Sequence, residues 1–404
     1  MRRKVVITAM GMVTSLGNTP EDIARCIHNE EVSFQYTERA FRLVVAPVED
    51  FDVRRYTGRF KNLRYLNRGA AMGVAAAVQA AHQAGLTADQ WESAGLFAGM
   101  GPNLDLGGEC PDIRQGVIDP ELLPALWILR FLPNTAVSAI AQLLGIHGEN
   151  LTAGNACAAS LQAVGEAYRR IRDGYLEVAL AGGGDSRLSP GALLAYHKAQ
   201  ALYGGSAAPR EAQRPFDRKR NGFVPGEGGA FFVLESAEHA NARGANILGE
   251  VCGYGASLDG ENMTAPGADG RWAEKAVHSA LAQADIAPGD IDLISAHGTA
   301  TTLNDEMEAG LIQRVFRPHR PVILAVKSWI GHLAAACGAV ELGICLGALQ
   351  TGGWPWIRNL EAPCNPGLNY LTSENRHVAA GNVLLQNFGF GGQNAALVIR
   401  SWRA

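Results

Sequence analysis

Apolar residues fall into two repeating patterns along the chain: short continuous runs of strand type, and longer stretches with apolar positions at helical spacing. Residues 5–9 form the first strand-like run. Thr19-Pro20-Glu21-Asp22 then supplies an N-cap, a proline in the first turn and two acids, which predicts a helix over 20–28. An alanine-rich helix is expected over 70–84, ended by Gly85, and a glycine-punctuated strand begins over 93–98. Helices over 136–144 and 160–172, a strand over 178–180 running into Gly182-Gly183-Gly184, a strand over 231–234 and a helix over 238–243 follow. The alternation then starts again, with helices over 272–284, 305–316 and 333–349 and strands over 291–295, 322–326 and 383–385. This order predicts an α/β protein with largely covered sheets. A boundary near 244–250 divides it into an N-terminal half, 1–246, and a C-terminal half, 247–404.

The halves echo one another: Asn155-Ala-Cys157-Ala-Ala-Ser160 precedes one small-residue helix, and Gly331-His332-Leu-Ala-Ala-Ala336 begins another. Composition adds that 48 of 404 residues are glycine and only 18% are charged, so backbone approaches backbone or ligand closely in many places. A net charge of −4 argues against nucleic acid as a partner. Seven cysteines without a C-x-x-C pair exclude a zinc knuckle and a thioredoxin motif, and reduced thiols in the cytoplasm are expected. The stretch 333–349 comes nearest to a membrane span but carries Glu341, so it reads as a buried core helix and no membrane partner is expected. The basic start before 5–13 imitates a signal peptide, yet its apolar run is short and a helix opener follows, so it reads as a strand.

Three residues of nucleophile or acid/base type sit at comparable strand-to-helix turns. Cys157, among small neighbours at a helix start, is placed where unpaired N–H groups lower a thiol's pKa. His297 closes an apolar strand ahead of Gly298-Thr299-Ala300-Thr301, and His332 follows Lys327-Ser-Trp-Ile-Gly at a helix start that favours a neutral imidazole. Taken singly, a buried structural cysteine or histidine is the commoner occurrence; three at equivalent turns is much less so. Phe388-Gly-Phe390-Gly-Gly is no P-loop, since no Lys-Ser/Thr follows, but its N–H groups suit an oxyanion and Phe390 suits a gate.

With Ala181-Gly-Gly-Gly-Asp185, Arg214-Pro-Phe-Asp217 and Asn221-Gly-Phe-Val-Pro-Gly-Glu227-Gly-Gly, these motifs run in an order that resembles the β-ketoacyl synthases of the thiolase superfamily, the discrete elongating type of type II fatty-acid and polyketide systems. The resemblance covers nearly the whole chain and implies a thiolase-like five-layered αβαβα fold of two similar halves. It implies decarboxylative Claisen condensation of a Cys157-bound acyl chain with malonyl-acyl carrier protein. His297 and His332 would bind the malonyl thioester and its enolate, and the N–H groups of Cys157 and Phe390 would form an oxyanion hole. Lys327 would order the site through Glu308 and Asp305. Thr299, Thr301 and Phe223 would hold the phosphopantetheine-borne substrate, and Phe390 would gate it against the loop 259–264. No metal or organic cofactor is implied, and the partner is a phosphopantetheinylated acyl carrier protein in a homodimer or a heterodimer with a related subunit.

The sequence departs from the family at Asn155, where threonine is commoner, at Trp329, and at 97–108, which lacks the bulky aliphatic that often closes the acyl pocket. Region 29–50 lacks the family's usual early turn, and 203–213 reads as locally rebuilt. Arg54, Arg55, Arg59, Lys61, Arg64 and Arg68 form a basic run. A solvated helix face explains it as well as docking of an acidic carrier by Lys61, Arg64 and Arg68, joined by Arg214. A catalytically silent, chain-length-determining subunit is the alternative, disfavoured because such subunits typically lose the cysteine. A papain-like hydrolase lacks its local signatures here, the spacings of Cys157, His297 and His332 match no zinc motif, and a thiolase's second cysteine is missing from the glycine-rich turn.

Overall fold

The computed structural model describes residues 2–37, 42–104, 113–114, 117–118, 121, 123, 125–375 and 378–402. The N-terminal half contributes β1 (Val5–Val13), α1 (Arg68–Ala84), β2 (Gly95–Met100), α2 (Thr135–Leu144), β3 (Asn150–Ala153), α3 (Ala159–Arg172), β4 (Val178–Ser186) and β5 (Glu227–Ser236). The C-terminal half contributes β6 (Gly249–Leu258), α4 (Arg271–Ala284), β7 (Leu293–Ser295), α5 (Thr302–Val315), β8 (Val322–Leu324), α6 (Cys337–Thr351), β9 (Asn382–Gly389) and β10 (Gln393–Arg400). Spatial order is β3-β2-β4-β5-β1 in the first and β8-β7-β9-β10-β6 in the second, the same order twice. Antiparallel pairing of Val5–Ile7 with Gly249–Val251 joins them, and the two-residue strand Asn369–Tyr370 extends the C-terminal edge.

Five layers result. Helix α1 covers β1, β4 and β5 on one outer face, with α2 against it, and α4 covers β6 and β10 on the other, with α5 beside it. Between the half-sheets lie α3, which touches β2 and β4 on one side and β6 and β10 on the other, and α6, which touches β1, β5 and β9. A helix sandwiched this way must be apolar all round, and every residue of α6 from Cys337 to Ala348 is buried. The stretch Ala334–Thr351 is long and apolar enough to cross a membrane, and 83% of it is buried inside the protein.

Helix 20–28 falls where its cap signals put it, and Thr19 accepts from the Asp22 N–H. Strand 178–180 extends to Ser186, and the stretch 333–349 divides into a 3-10 turn, Ala334–Ala336, and α6. The sequence pattern missed β3, β6, β10 and helix Pro190–Lys198. Strand β6 hides because Gly253 and Gly255 break its apolar run. A Cβ there would lie 2.1 Å from the Ala280 oxygen and 2.0 Å from the Ala276 oxygen, so α4 lies directly on the strand backbone.

Candidate active site

Two residues beyond β3 the chain turns into the 3-10 helix Ala156–Ala158 and then α3. Ala156 has φ +47°, and Ala334, which opens the matching turn ahead of α6, has φ +45°. Both are left-handed conformations that a Cβ disfavours, held by the packing around them. Cys157 sits on the first turn, 8% exposed. The end of β9 presses against it: a Cβ on Gly389 would lie 3.0 Å from the Asn155 oxygen and 3.1 Å from the Cys157 nitrogen. That approach brings the Phe390 N–H onto the Cys157 sulfur as a hydrogen-bond donor.

The histidines arrive from the C-terminal half, and the chain between β4 and β5 braces both. The His332 N–H donates to the Val224 oxygen at 2.7 Å, and the Gly226 N–H donates to the His332 oxygen at 2.9 Å. Gln213 Nε2 donates to the Thr299 oxygen at 3.1 Å, and the Gly222 N–H to the Ala300 oxygen at 3.0 Å. Nδ1 of His332 accepts from the Ala334 N–H at 2.9 Å. Nδ1 of His297 faces Lys327 Nζ at 3.2 Å and Asn387 Nδ2 at 3.3 Å, both donors. Each imidazole therefore accepts at Nδ1 and carries its proton on Nε2. Burial, then the charge of Lys327, holds both pKa values well below the usual histidine range, so both rings are neutral at pH 7. The ring centroids stand 5.6 Å apart, and single ligand atoms of Cys157, His297 and His332 all lie within 4.8 Å of one another.

Lys327 and Glu341 form a wholly buried ion pair, Nζ to Oε1 at 2.5 Å, and Asn387 Nδ2 donates to Glu341 Oε2 at 2.8 Å. Despite burial, Glu341 keeps Lys327 charged, raising its pKa. Glu341 is thus the direct partner of Lys327, while Glu308, expected to link to it, acts on its charge from further off. Glu308 organises the histidine loop instead: its carboxylate accepts from the N–H groups of His297 (2.7 Å) and Gly298 (2.8 Å), from Asn304 (3.2 Å) and from Gln386 (2.7 Å). Burial pushes its pKa up to about 7. Asp305 accepts from the Phe216 N–H at 2.7 Å and holds the Arg214-Pro-Phe-Asp217 turn.

At Cys157 burial outweighs what a helix start offers the thiolate. Burial raises the thiol pKa to about 11, against the opposing charges of Lys327 and Arg187. The resting group is a thiol.

A cavity of about 460 Å³ opens onto Cys157, His297 and His332, with Phe223, Thr299, Thr301 and Phe390 also in its wall. The Thr299 and Thr301 hydroxyls are 2.8 Å apart. Phe223 packs on the His332 ring with centroids 4.6 Å apart, and Phe390 is 40% exposed at the mouth. The loop 259–264 faces the gate: the Gly391 N–H donates to the Met263 oxygen at 2.8 Å, and the Asp259 N–H to the Gly392 oxygen at 2.9 Å.

One expected docking residue, Arg214, is buried. Arg214 is 8% exposed and ion-paired with Glu361 at 3.0 Å and Asp217 at 3.6 Å, so it braces its own turn. Arg68 pairs with buried Glu227 at 2.7 Å and donates to the Val48 oxygen at 2.6 Å, yet its side chain stays 42% exposed. Lys61 and Arg64 remain exposed, with Arg54 and Arg59, around a shallow depression. Trp329 fills the core, its Nε1 donating to the Trp356 oxygen at 2.6 Å. Of the pocket segment 97–108, residues 105–108 lie outside the described residues. Sequence reasoning missed Asn387 and Gln386, whose only signal was their place beside Phe388-Gly-Phe390, and the buried Asp185–Arg187 pair, whose signal was a charged residue two positions after an apolar strand's acid.

A nucleophilic thiol under a backbone donor, facing two neutral N–H imidazoles across one cavity, defines an acyl-transfer enzyme that handles a thiol-bound chain and an enolate. The chain belongs to the β-ketoacyl synthase family: it matches the β-ketoacyl synthase N-terminal domain over residues 2–240 and the C-terminal domain over 248–361. It is 31% identical over 419 residues to 3-oxoacyl-[acyl-carrier-protein] synthase 2 of Synechocystis sp., covering 100% of this chain and 99% of that one. Its thiolase-like fold is shared with the ishigamide ketosynthase/chain length factor (TM-score 0.89, 30% identity, both chains covered 100%). It is also shared with AntDE:AntF, a type II polyketide acyl carrier protein in complex with its ketosynthase bound to the hexaketide (TM-score 0.86, 25% identity, both chains covered 100%).

Proposed function

We propose that this chain is a β-ketoacyl-[acyl-carrier-protein] synthase that condenses a Cys157-bound acyl chain with malonyl-acyl carrier protein. The observation that carries it is the pair of imidazoles whose Nδ1 atoms are already engaged, leaving two Nε2–H donors beside one thiol. In the first step the Cys157 sulfur attacks the carrier thioester. The Phe390 and Cys157 N–H groups stabilise the oxyanion, the acyl group moves to sulfur, and the proton displaced from Cys157 balances the one taken up by the departing carrier thiolate. In the second, His297 and His332 donate to the malonyl thioester oxygen. The bond to the carboxylate breaks, CO₂ leaves, and its electron pair becomes the enolate those donors hold. The enolate carbon attacks the acyl-Cys157 carbonyl, the Cys157–acyl bond breaks to release the β-ketoacyl carrier, and the leaving sulfur takes up a proton from solvent to restore the thiol.

Thr299, Thr301 and Phe223 line the approach and suit the phosphopantetheine arm. Exposed Lys61, Arg64 and Arg68 suit an acidic carrier protein, while buried Arg214 braces its own turn. The edge strand β3 with exposed Leu151 suits a dimer, with a second copy or a related subunit. The halves 1–246 and 247–404 carry the nucleophile and the histidines respectively. All six described cysteines are free thiols, as the cytoplasm would keep them. Cys157 with both histidines in reacting geometry disfavours the silent chain-length subunit.

The test is intact-mass analysis after incubation with acyl-carrier thioesters. The parent gains the acyl mass, Cys157→Ala does not, and Cys157→Ala still releases CO₂ from malonyl carrier. Condensation by Cys157→Ala would overturn the assignment.

A further inference from the structure

A second thiol, Cys337, lies beside His332 and takes no covalent part in the reaction. It opens α6, is wholly buried, and places its sulfur 3.6 Å from Nδ1 of His332. That nitrogen already accepts from the Ala334 N–H at 2.9 Å, so it carries no proton and the thiol is the donor. Burial, against the opposing charge of Lys327, pushes the Cys337 pKa well above the usual thiol range, so the proton stays on sulfur. The sulfur is also held in place. A Cβ on the next residue, Gly338, would lie 2.5 Å from Asn387 Oδ1 and 2.5 Å from Leu161 Cβ, so the start of α6 is pressed against β9 and α3. The two imidazoles differ as a result. Nδ1 of His297 faces the charged Lys327 at 3.2 Å, whereas at Nδ1 of His332 two neutral donors share one lone pair.

We infer that Cys337 is a positioning residue for the malonyl half of the reaction, its S–H donating to His332 Nδ1 so that the ring presents its own proton from Nε2 to the enolate oxygen. This rests on the condensing function proposed above. A donor at Nδ1 acts in two ways. It penalises the other tautomer, in which an Nδ1 proton would face the S–H and the Ala334 N–H head-on. It also polarises the ring, because hydrogen bonds in series strengthen one another inside a protein, and the Nε2–H becomes the better donor. His297 draws this polarisation from an ammonium, a charged donor roughly twice as strong as a neutral one, while His332 draws it from a backbone N–H and a thiol. A thiol suits the place: it packs as a small apolar group in a buried position and brings no charge to desolvate. Cys337 acts on the substrate only through the ring.

The experiment compares Cys337→Ala and Cys337→Ser with the parent by malonyl-carrier decarboxylation, by intact-mass loading of Cys157 from an acyl carrier, and by the infrared S–H stretching band of Cys337, assigned by difference from Cys337→Ala. Cys337→Ala is expected to slow decarboxylation about fivefold while loading stays within about twofold, and Cys337→Ser, which restores a donor, to return decarboxylation to within about twofold of the parent. In His332→Leu the Cys337 band should move to higher frequency as the S–H loses its acceptor. Undiminished decarboxylation in Cys337→Ala overturns the inference. So do a parallel loss of loading or equal losses in the Ala and Ser variants, either of which marks a packing role, and so does an S–H band unmoved in His332→Leu. Each of these results leaves the condensing function intact. If the parent neither loads a chain nor decarboxylates malonyl carrier, it is the condensing function that fails, and the S–H band still decides whether the contact exists.

Discussion

Lys327 Nζ stands 3.2 Å from His297 Nδ1, donating a charge into the side of the ring that faces away from the reaction. The contact fixes the tautomer, keeps imidazolium from forming, and depends on Glu341 to hold the ammonium in place. Lys327→Met leaves Glu341 buried without its partner and is expected to cost about 3–5 kcal/mol of folding stability. The double variant Lys327→Met with Glu341→Leu should recover most of that stability without recovering decarboxylation. Urea unfolding and CO₂ release, measured side by side, separate the two effects.

If the histidines act as neutral donors, an amide N–H should replace them in part. His332→Gln is expected to retain more malonyl decarboxylation than His332→Ala, which should fall by about 10²–10³ as an oxyanion donor is removed. A general-base role would instead leave both variants equally dead.

Because burial raises the Cys157 pKa to about 11 from its ordinary 9.0, the group holds its proton across the physiological range. Below its pKa the thiolate fraction grows about tenfold for each pH unit, so iodoacetamide alkylation of Cys157 should climb steadily from pH 7 towards about pH 10. A plateau below pH 8 would show an activated thiolate at rest.

Glu308 links activity and stability with opposite signs. Its folded pKa, about 7, lies above the ordinary 4.5, so its contribution to stability is fully present below the unfolded value and lost as pH rises through 7. The ionised form, however, is the acceptor that the His297 and Gly298 N–H groups need. Condensation should therefore decline as pH falls below about 7. Glu308→Gln should flatten that limb and lower the melting temperature, because its amide nitrogen would face N–H donors that the carboxylate accepts from. Retention of the acidic limb in Glu308→Gln would assign it to another group.

Much of the site is legible in sequence because each reactive side chain sits at the end of a strand, where a short apolar run followed by small residues leaves a clear mark. Cys157, His297 and His332 are of this kind. What sequence could not yield is which separate elements pair with one another. Nothing local to Lys327 distinguishes Glu341 from Glu308 as its partner, and the pairing follows only from where α6 lies. The ion pairs of Arg68 with Glu227 and of Arg214 with Glu361 leave no local mark, because the carboxylates lie 159 and 147 residues away in the chain. The Cys157 pKa ran opposite to expectation because the helix-start argument contains no burial, and the enclosing β9 turn supplies it. Strand β6 stayed hidden for a similar reason, its glycines answering to a helix far along the chain.

The repeated strand order places the thiol on one half and the imidazoles on the other, with the site at the seam. The nucleophile and the two N–H donors accordingly stand on separate stretches of polypeptide, Cys157 on one and the loops that carry His297 and His332 on the other. Mutation can retune what is elongated without disturbing how carbon is added, so a lineage built on this scaffold can change its products while conserving its chemistry.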